Sequence, residues 1–132
     1  MNLRERRDAQ ARHTESRADG RSRAEGQAPL DRYLTQWRLE AAIKHYSLST
    51  KLERSEVKVL VLCAGWGNEA TQLLAQGFRN VVVSDISSSA VQYQVSRHST
   101  LRGMVLDASD TGLADLSFDL VVVQDGLHHL PN

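Results

Sequence analysis

Apolar and polar residues along this chain follow two spacings. From Pro29 onward, Leu30, Tyr33, Leu34, Trp37, Ala41 and Tyr46 recur at helical intervals, with Asp31, Arg32, Gln36, Arg38 and Glu40 between them. This predicts a helix from Pro29 to about His45–Ser49, and proline suits a first helical turn. Its aromatic stripe has two readings: it packs on a sheet, or it is a lid in which Tyr33 or Trp37 touches a ligand. The next block, Val57 to Leu62, is apolar at nearly every position. It predicts a strand covered on both faces, as in a parallel sheet. The strand runs into Cys63-Ala64-Gly65-Trp66-Gly67. A helix is expected over Asn68 to Gln76, with Ala70, Leu73 and Leu74 inward, and Gly77 stands where a left-handed cap is wanted. A second strand, Asn80 to Ser84, ends at Asp85. Ser87, Ser88 and Ser89 offer an N-cap to a helix that carries Ala90, Val91, Tyr93 and Val95 to about Arg97. A third strand, Gly103 to Leu106, ends at Asp107. A fourth, Phe118 to Val123, runs into Gln124-Asp125-Gly126-Leu127-His128-His129-Leu130-Pro131.

Strands alternating with helices at this spacing imply right-handed crossovers and a parallel sheet, hence an α/β fold. Ligands in such sheets bind beyond the carboxyl ends of the strands. The candidate polar residues all lie at such ends: Gly65 and Gly67 after the first strand, Asp85 after the second, Asp107 after the third, Gln124 and Asp125 after the fourth. The glycines allow a tight turn and close approach of a ligand to backbone N–H groups. Asp85 can accept from two vicinal ribose hydroxyls, or cap the following helix, and the two roles are compatible. Asp107 can accept from an exocyclic adenine amine, or be a solvated turn residue. Together these ends describe an adenosine pocket.

Composition narrows the classes. The chain has 132 residues, 41% hydrophobic and 24% charged, with sixteen basic and sixteen acidic side chains. Zero formal net charge argues against a general electrostatic grip on nucleic acid or an anionic membrane. The single cysteine, Cys63, excludes an internal disulfide and a multi-cysteine metal site, and no metal is expected. A reducing, cytoplasmic setting is the default. No apolar run approaches the roughly 18 residues of a membrane helix, and no apolar signal-peptide region is visible. The charge is uneven. Residues 1–27 carry seven arginines and five acids. Residues 1–28 are therefore expected as a mobile polar arm or a frayed polar helix, ahead of a domain over residues 29–132. The interspersed acids weaken a reading of the arm as an RNA-binding segment or transit peptide.

The ordered motifs resemble the class I S-adenosylmethionine-dependent methyltransferases. Val59-Leu60-Val61-Leu62-Cys63-Ala64-Gly65-Trp66-Gly67 is similar to their first motif, and Val82-Val83-Ser84-Asp85-Ile86-Ser87 to the second, whose acid holds the ribose. Leu106-Asp107-Ala108 is similar to the third, which meets the adenine. Phe118 to Val123 with Leu127-His128-His129-Leu130-Pro131 resembles the fourth, in its small-molecule methyltransferase form. The resemblance implies a Rossmann-like three-layer sandwich with strand order 3-2-1-4, truncated after strand four. It implies S-adenosyl-L-methionine as cofactor, held by Cys63, Ala64, Gly65, Gly67, Asp85, Ile86, Asp107, Ala108 and Gln124, and a small-molecule methyl acceptor. His128 is the candidate for a catalytic role. Two positions depart from the family: Val61 replaces the usual acid of the first motif, and Cys63 the usual first glycine. Cys63 must therefore adopt a permitted backbone angle, or the loop differs locally. It reads as a small buried residue rather than a nucleophile.

Two other readings stay open. Gly65-x-Gly67-x-x-Ala70 followed by Asp85 also fits a dinucleotide fingerprint, which would make the chain part of an NAD-dependent oxidoreductase. The other reading is a non-catalytic interaction module, a truncated form whose Leu120–Val123 run lies at an open sheet edge. Such an edge is expected to pair with a second copy or a partner.

Overall fold

In the computed structural model, residues 2–16, 29–49, 52–124 and 126–130 are described. They form helix α1 (Leu3–Ser16), helix α2 (Pro29–Ser49), strand β1 (Lys58–Leu62), helix α3 (Glu69–Ala75), strand β2 (Asn80–Asp85), helix α4 (Ser88–Arg97), strand β3 (Arg102–Val105), strand β4 (Leu120–Val123) and a 3-10 turn over Leu127–His129. The four strands are parallel, in the order β3-β2-β1-β4. This is the Rossmann-like α/β sheet and the strand order that the motifs imply.

The register explains the core. Val59 lies between Val81 and Leu120, and Val61 between Val83 and Val122. Because side chains alternate across a strand, these residues share one face. Val59, Val61, Val81 and Val83 are buried there with Leu39 and Ile43 of α2, Ala70 and Leu73 of α3, and Phe78; Val95 of α4 packs against them. Each valine, leucine, isoleucine or phenylalanine among them contributes about 1.5–3 kcal/mol on burial. The two edges differ from this centre: every residue of β3 is exposed, and Val121 of β4 is 51% exposed. Arg38, Leu39, Ile43 and Tyr46 of α2 and Leu120–Gln124 line an open groove of about 330 Å³ along β4.

Helix α2 begins at Pro29, as its spacing predicts, but it turns a different face inward. Thr35, Leu39 and Ile43 are buried, while Tyr33 is 63% and Trp37 58% exposed. The buried residues are four apart and form one straight stripe. Tyr33 and Trp37 lie off it, so the packing reading fails for these two aromatics, while Tyr46 of the same stripe packs against the core. The local caps agree with the sequence. Gly77 takes φ +96° after α3, and the Ser87 hydroxyl accepts from Ala90 N at the start of α4.

Within the polar arm, residues 3–16 are helical. Glu5 N donates to Asn2 Oδ1 (2.9 Å) and Asn2 N donates to Glu5 Oε2 (2.8 Å). This reciprocal capping box satisfies two backbone donors that a helix start leaves open. Helix α1 packs against α4. No helix among the described residues is long and apolar enough to cross a membrane.

Candidate functional site at the strand ends

The turn after β1 is left-handed twice, at Cys63 (φ +53°) and Gly65 (φ +47°). For a cysteine this costs about 1–2 kcal/mol, so the surroundings must hold it there. Ala64 N donates to Ser84 O of β2 (2.9 Å), and Gly67 N donates back to Ala64 O (3.0 Å). Gly126 closes on the other side: a Cβ there would meet Cys63 Cβ at 2.4 Å. A glycine at 126 is what lets the segment after β4 lie against the loop.

Asp85 ends β2 and is only 8% exposed. Its Oδ2 accepts from Gly65 N (2.9 Å) and its Oδ1 from Ser87 N (3.0 Å). One carboxylate thus joins the glycine turn to the start of α4. The N-cap of α4 is Ser87, whose own backbone N–H the aspartate holds. An ionised carboxylate has about four acceptor positions, so this one keeps capacity for further donors.

The loop is also gripped from α4. Gln94 is 1% exposed, and its Nε2 donates to Gly65 O and to Gly67 O, both at 2.9 Å. Arg97 donates to Gly67 O (3.2 Å) and to Asn68 Oδ1 (2.9 Å), with its guanidinium 5.5 Å from the centre of the Tyr93 ring. Trp66, between the two glycines, meets Tyr93 at 5.1 Å between ring centres. Sequence reasoning missed Gln94 and Arg97. The signal was present: Gln94 follows Ala90 by four and Val91 by three residues, so it is a polar residue on an apolar stripe.

At the end of β3, Asp107 Oδ1 accepts from Ser109 N (2.8 Å) and Ser109 Oγ (2.6 Å), an Asx-type turn. Its Oδ2 faces Arg7 Nε of α1 at 2.6 Å, and a second guanidinium nitrogen of Arg7 donates to Ser109 Oγ (3.2 Å). Nε and Oδ2 meet as an ion pair without hydrogen-bond alignment, and both atoms are closed off from solvent.

These strand ends converge electrostatically. Burial pushes the Cys63 thiol above its usual value, and the charges of Asp85 and then Asp107 push it further. Such a thiol is a poor nucleophile at neutral pH. Ile86, Ala108 and Gln124 are half-buried and His128 is exposed. Gln124 borders the groove between α2 and β4, and the approach from β4 to the glycine loop is made by Gly126. Asp125, Pro131 and the His129 side chain lie outside the described residues. Among the described residues, no group of three or more His, Cys, Asp or Glu side chains is placed to hold a metal ion.

A left-handed glycine turn tied to one acid, with a second acid at the next strand end, suits a ligand that presents hydroxyl and amine donors. Asp85 keeps acceptor capacity beyond its two backbone bonds. At Asp107, Arg7 stands on one of the two carboxylate oxygens. A search of curated proteins finds no match to the chain. The model of the methyltransferase domain family matches residues 59–132, more than half of the chain and all four strand ends. The chain therefore belongs to the methyltransferase domain family.

Proposed function

We propose that this domain binds S-adenosyl-L-methionine across the carboxyl ends of β1, β2 and β3 and transfers its methyl group to a small molecule. The observation that carries the cofactor reading is the Asp85 carboxylate. It is buried, bound to Gly65 N and Ser87 N, and still able to accept from two adjacent hydroxyls. That arrangement suits a ribose laid against the glycine turn, with Cys63, Ala64 and Gly67 forming the turn and Ile86 beside the acid. Asp107 and Ala108 are assigned to the adenine end. The small-molecule acceptor rests on the resemblance of Leu127-His128-His129-Leu130-Pro131 to the corresponding family segment.

The cofactor supplies an electrophilic methyl group when bound. The protein's part is to hold the donor still, align the acceptor and exclude water. Gln94, Arg97 and Asp85 do the first of these, because they fix both carbonyls and one amide of the turn. A general base is required only for acceptors that lose a proton during transfer, and His128, exposed after β4, is the candidate for that task.

Calorimetric titration with S-adenosylhomocysteine and, separately, with NAD tests the reading. Saturable binding of S-adenosylhomocysteine, with none of NAD, is expected. Binding of NAD alone would replace it with the dinucleotide reading, which the Gly65-x-Gly67-x-x-Ala70 spacing also allows.

A further inference from the structure

The acid assigned to the adenine end is already occupied by the chain itself. Arg7 and Asp107 are one hundred residues apart, yet the guanidinium lies 2.6 Å from Asp107 Oδ2 and also donates to Ser109 Oγ. Asp107 Oδ1 takes two bonds from Ser109, and Oδ2 is buried beneath Arg7. A base amine can reach Oδ2 only if Arg7 leaves. The geometry points to α1 as a self-capping latch: its docking through Arg7 and cofactor binding through Asp107 compete for one carboxylate oxygen. This inference rests on the cofactor reading above.

The rest of α1 suits a reversible element. Its capping box satisfies two backbone donors at its start without any bond to the domain. Its contact with α4 is thin: among its described side chains only Arg7, Ala9 and Ala11 are half-buried, and Arg4, Glu5, Asp8 and Arg12 are exposed. Little apolar area therefore opposes release, and the Arg7 contact supplies the specificity of docking. Because docking and binding draw on the same oxygen, each must weaken the other by the same factor.

The test is S-adenosylhomocysteine affinity of the full chain and of its Arg7→Ala variant, measured at about 50 mM and about 500 mM salt, with hydrogen exchange of the α1 amides read in parallel. Removing the latch is expected to tighten binding about two- to fivefold, the scale of one partly exposed ion pair. Salt should tighten binding to the wild type and leave Arg7→Ala unaffected by this route. Saturating ligand should speed exchange in α1 of the wild type. The exposed neighbour variant Asp8→Ala should bind as the wild type does. In an Asp107→Asn background, Arg7→Ala should bring no further gain. Unchanged or weaker binding by Arg7→Ala, or slower α1 exchange with ligand, overturns the latch and leaves the cofactor reading standing. No binding by either protein overturns the cofactor reading, and the latch with it as a gate on that cofactor.

Discussion

Asp85 and Asp107 occupy equivalent places, one at the end of β2 and one beyond the end of β3, yet the fold uses them in opposite ways. Asp85 is held by two backbone N–H groups, from Gly65 and Ser87. These donors are fixed wherever the sheet is formed, so the carboxylate is part of the framework. Asp107 is held by a side-chain hydroxyl, one backbone N–H and a charged arginine from a thinly attached helix. Its environment can change without disturbing the sheet. The contrast lies in where the donors come from: the backbone of the glycine turn and of the start of α4 for Asp85, and a side chain of the N-terminal helix for Asp107.

The largest effect should follow from breaking the fixed member. Asp85→Ala leaves Gly65 N and Ser87 N without their acceptor in a buried setting, which should cost about 2–4 kcal/mol of stability, read by urea unfolding. It should also weaken S-adenosylhomocysteine binding at least tenfold. Stability equal to the wild type would show that Asp85 is not part of the framework. Gln94→Met, nearly isosteric, removes two bonds to the glycine loop and should cost about 1–3 kcal/mol. The Trp66 emission should shift as well, since Trp66 lies between the two carbonyls that Gln94 holds.

A smaller effect is expected at the junction between the two acids. Cys63→Gly relieves a left-handed φ and should stabilise by about 0.5–1 kcal/mol, read as a higher melting temperature. The gap should widen in alkali. The Cys63 thiol is pushed up by burial and then by Asp85 and Asp107, so the stability it carries is complete below about pH 9. That stability is lost as pH rises through the higher folded value, and the glycine variant has no such loss. A gap that narrows above pH 9 would contradict the placement of the thiol between the acids. The smallest change in stability belongs to Arg7→Ala, under about 1 kcal/mol, although its effect on ligand affinity is the sharpest test of the switched acid.

Much of this arrangement was legible in the sequence where the signal was local. The apolar runs marked β1, β2 and β4, the serines marked the cap of α4, and Gly77 marked the end of α3. Asp85 and Asp107 were found because they follow apolar runs. Of the two readings of the polar arm, a mobile segment or a frayed helix, residues 3–16 follow the helical one, and Asn2-x-x-Glu5 was the local signal for its start. The inward face of α2 was misjudged because aromatic residues were taken as the buried ones. On a helix against a small sheet the straight stripe Thr35-Leu39-Ile43 packs closer than a face led by Trp37.

By itself, then, the sequence determined the alternation of strand and helix, the acids at the strand ends and the family to which they belong. These follow from period, turn residues and motif order, all encoded within a few positions of one another. The tertiary structure alone decided the partners: Asp85 with Gly65 N, Gln94 with two loop carbonyls, Gly126 against a left-handed Cys63, and Arg7 on Asp107. Those contacts span from twenty to one hundred residues, and no local pattern specifies them. They arise only when the parallel register brings the strand ends together and leaves each donor near one acceptor.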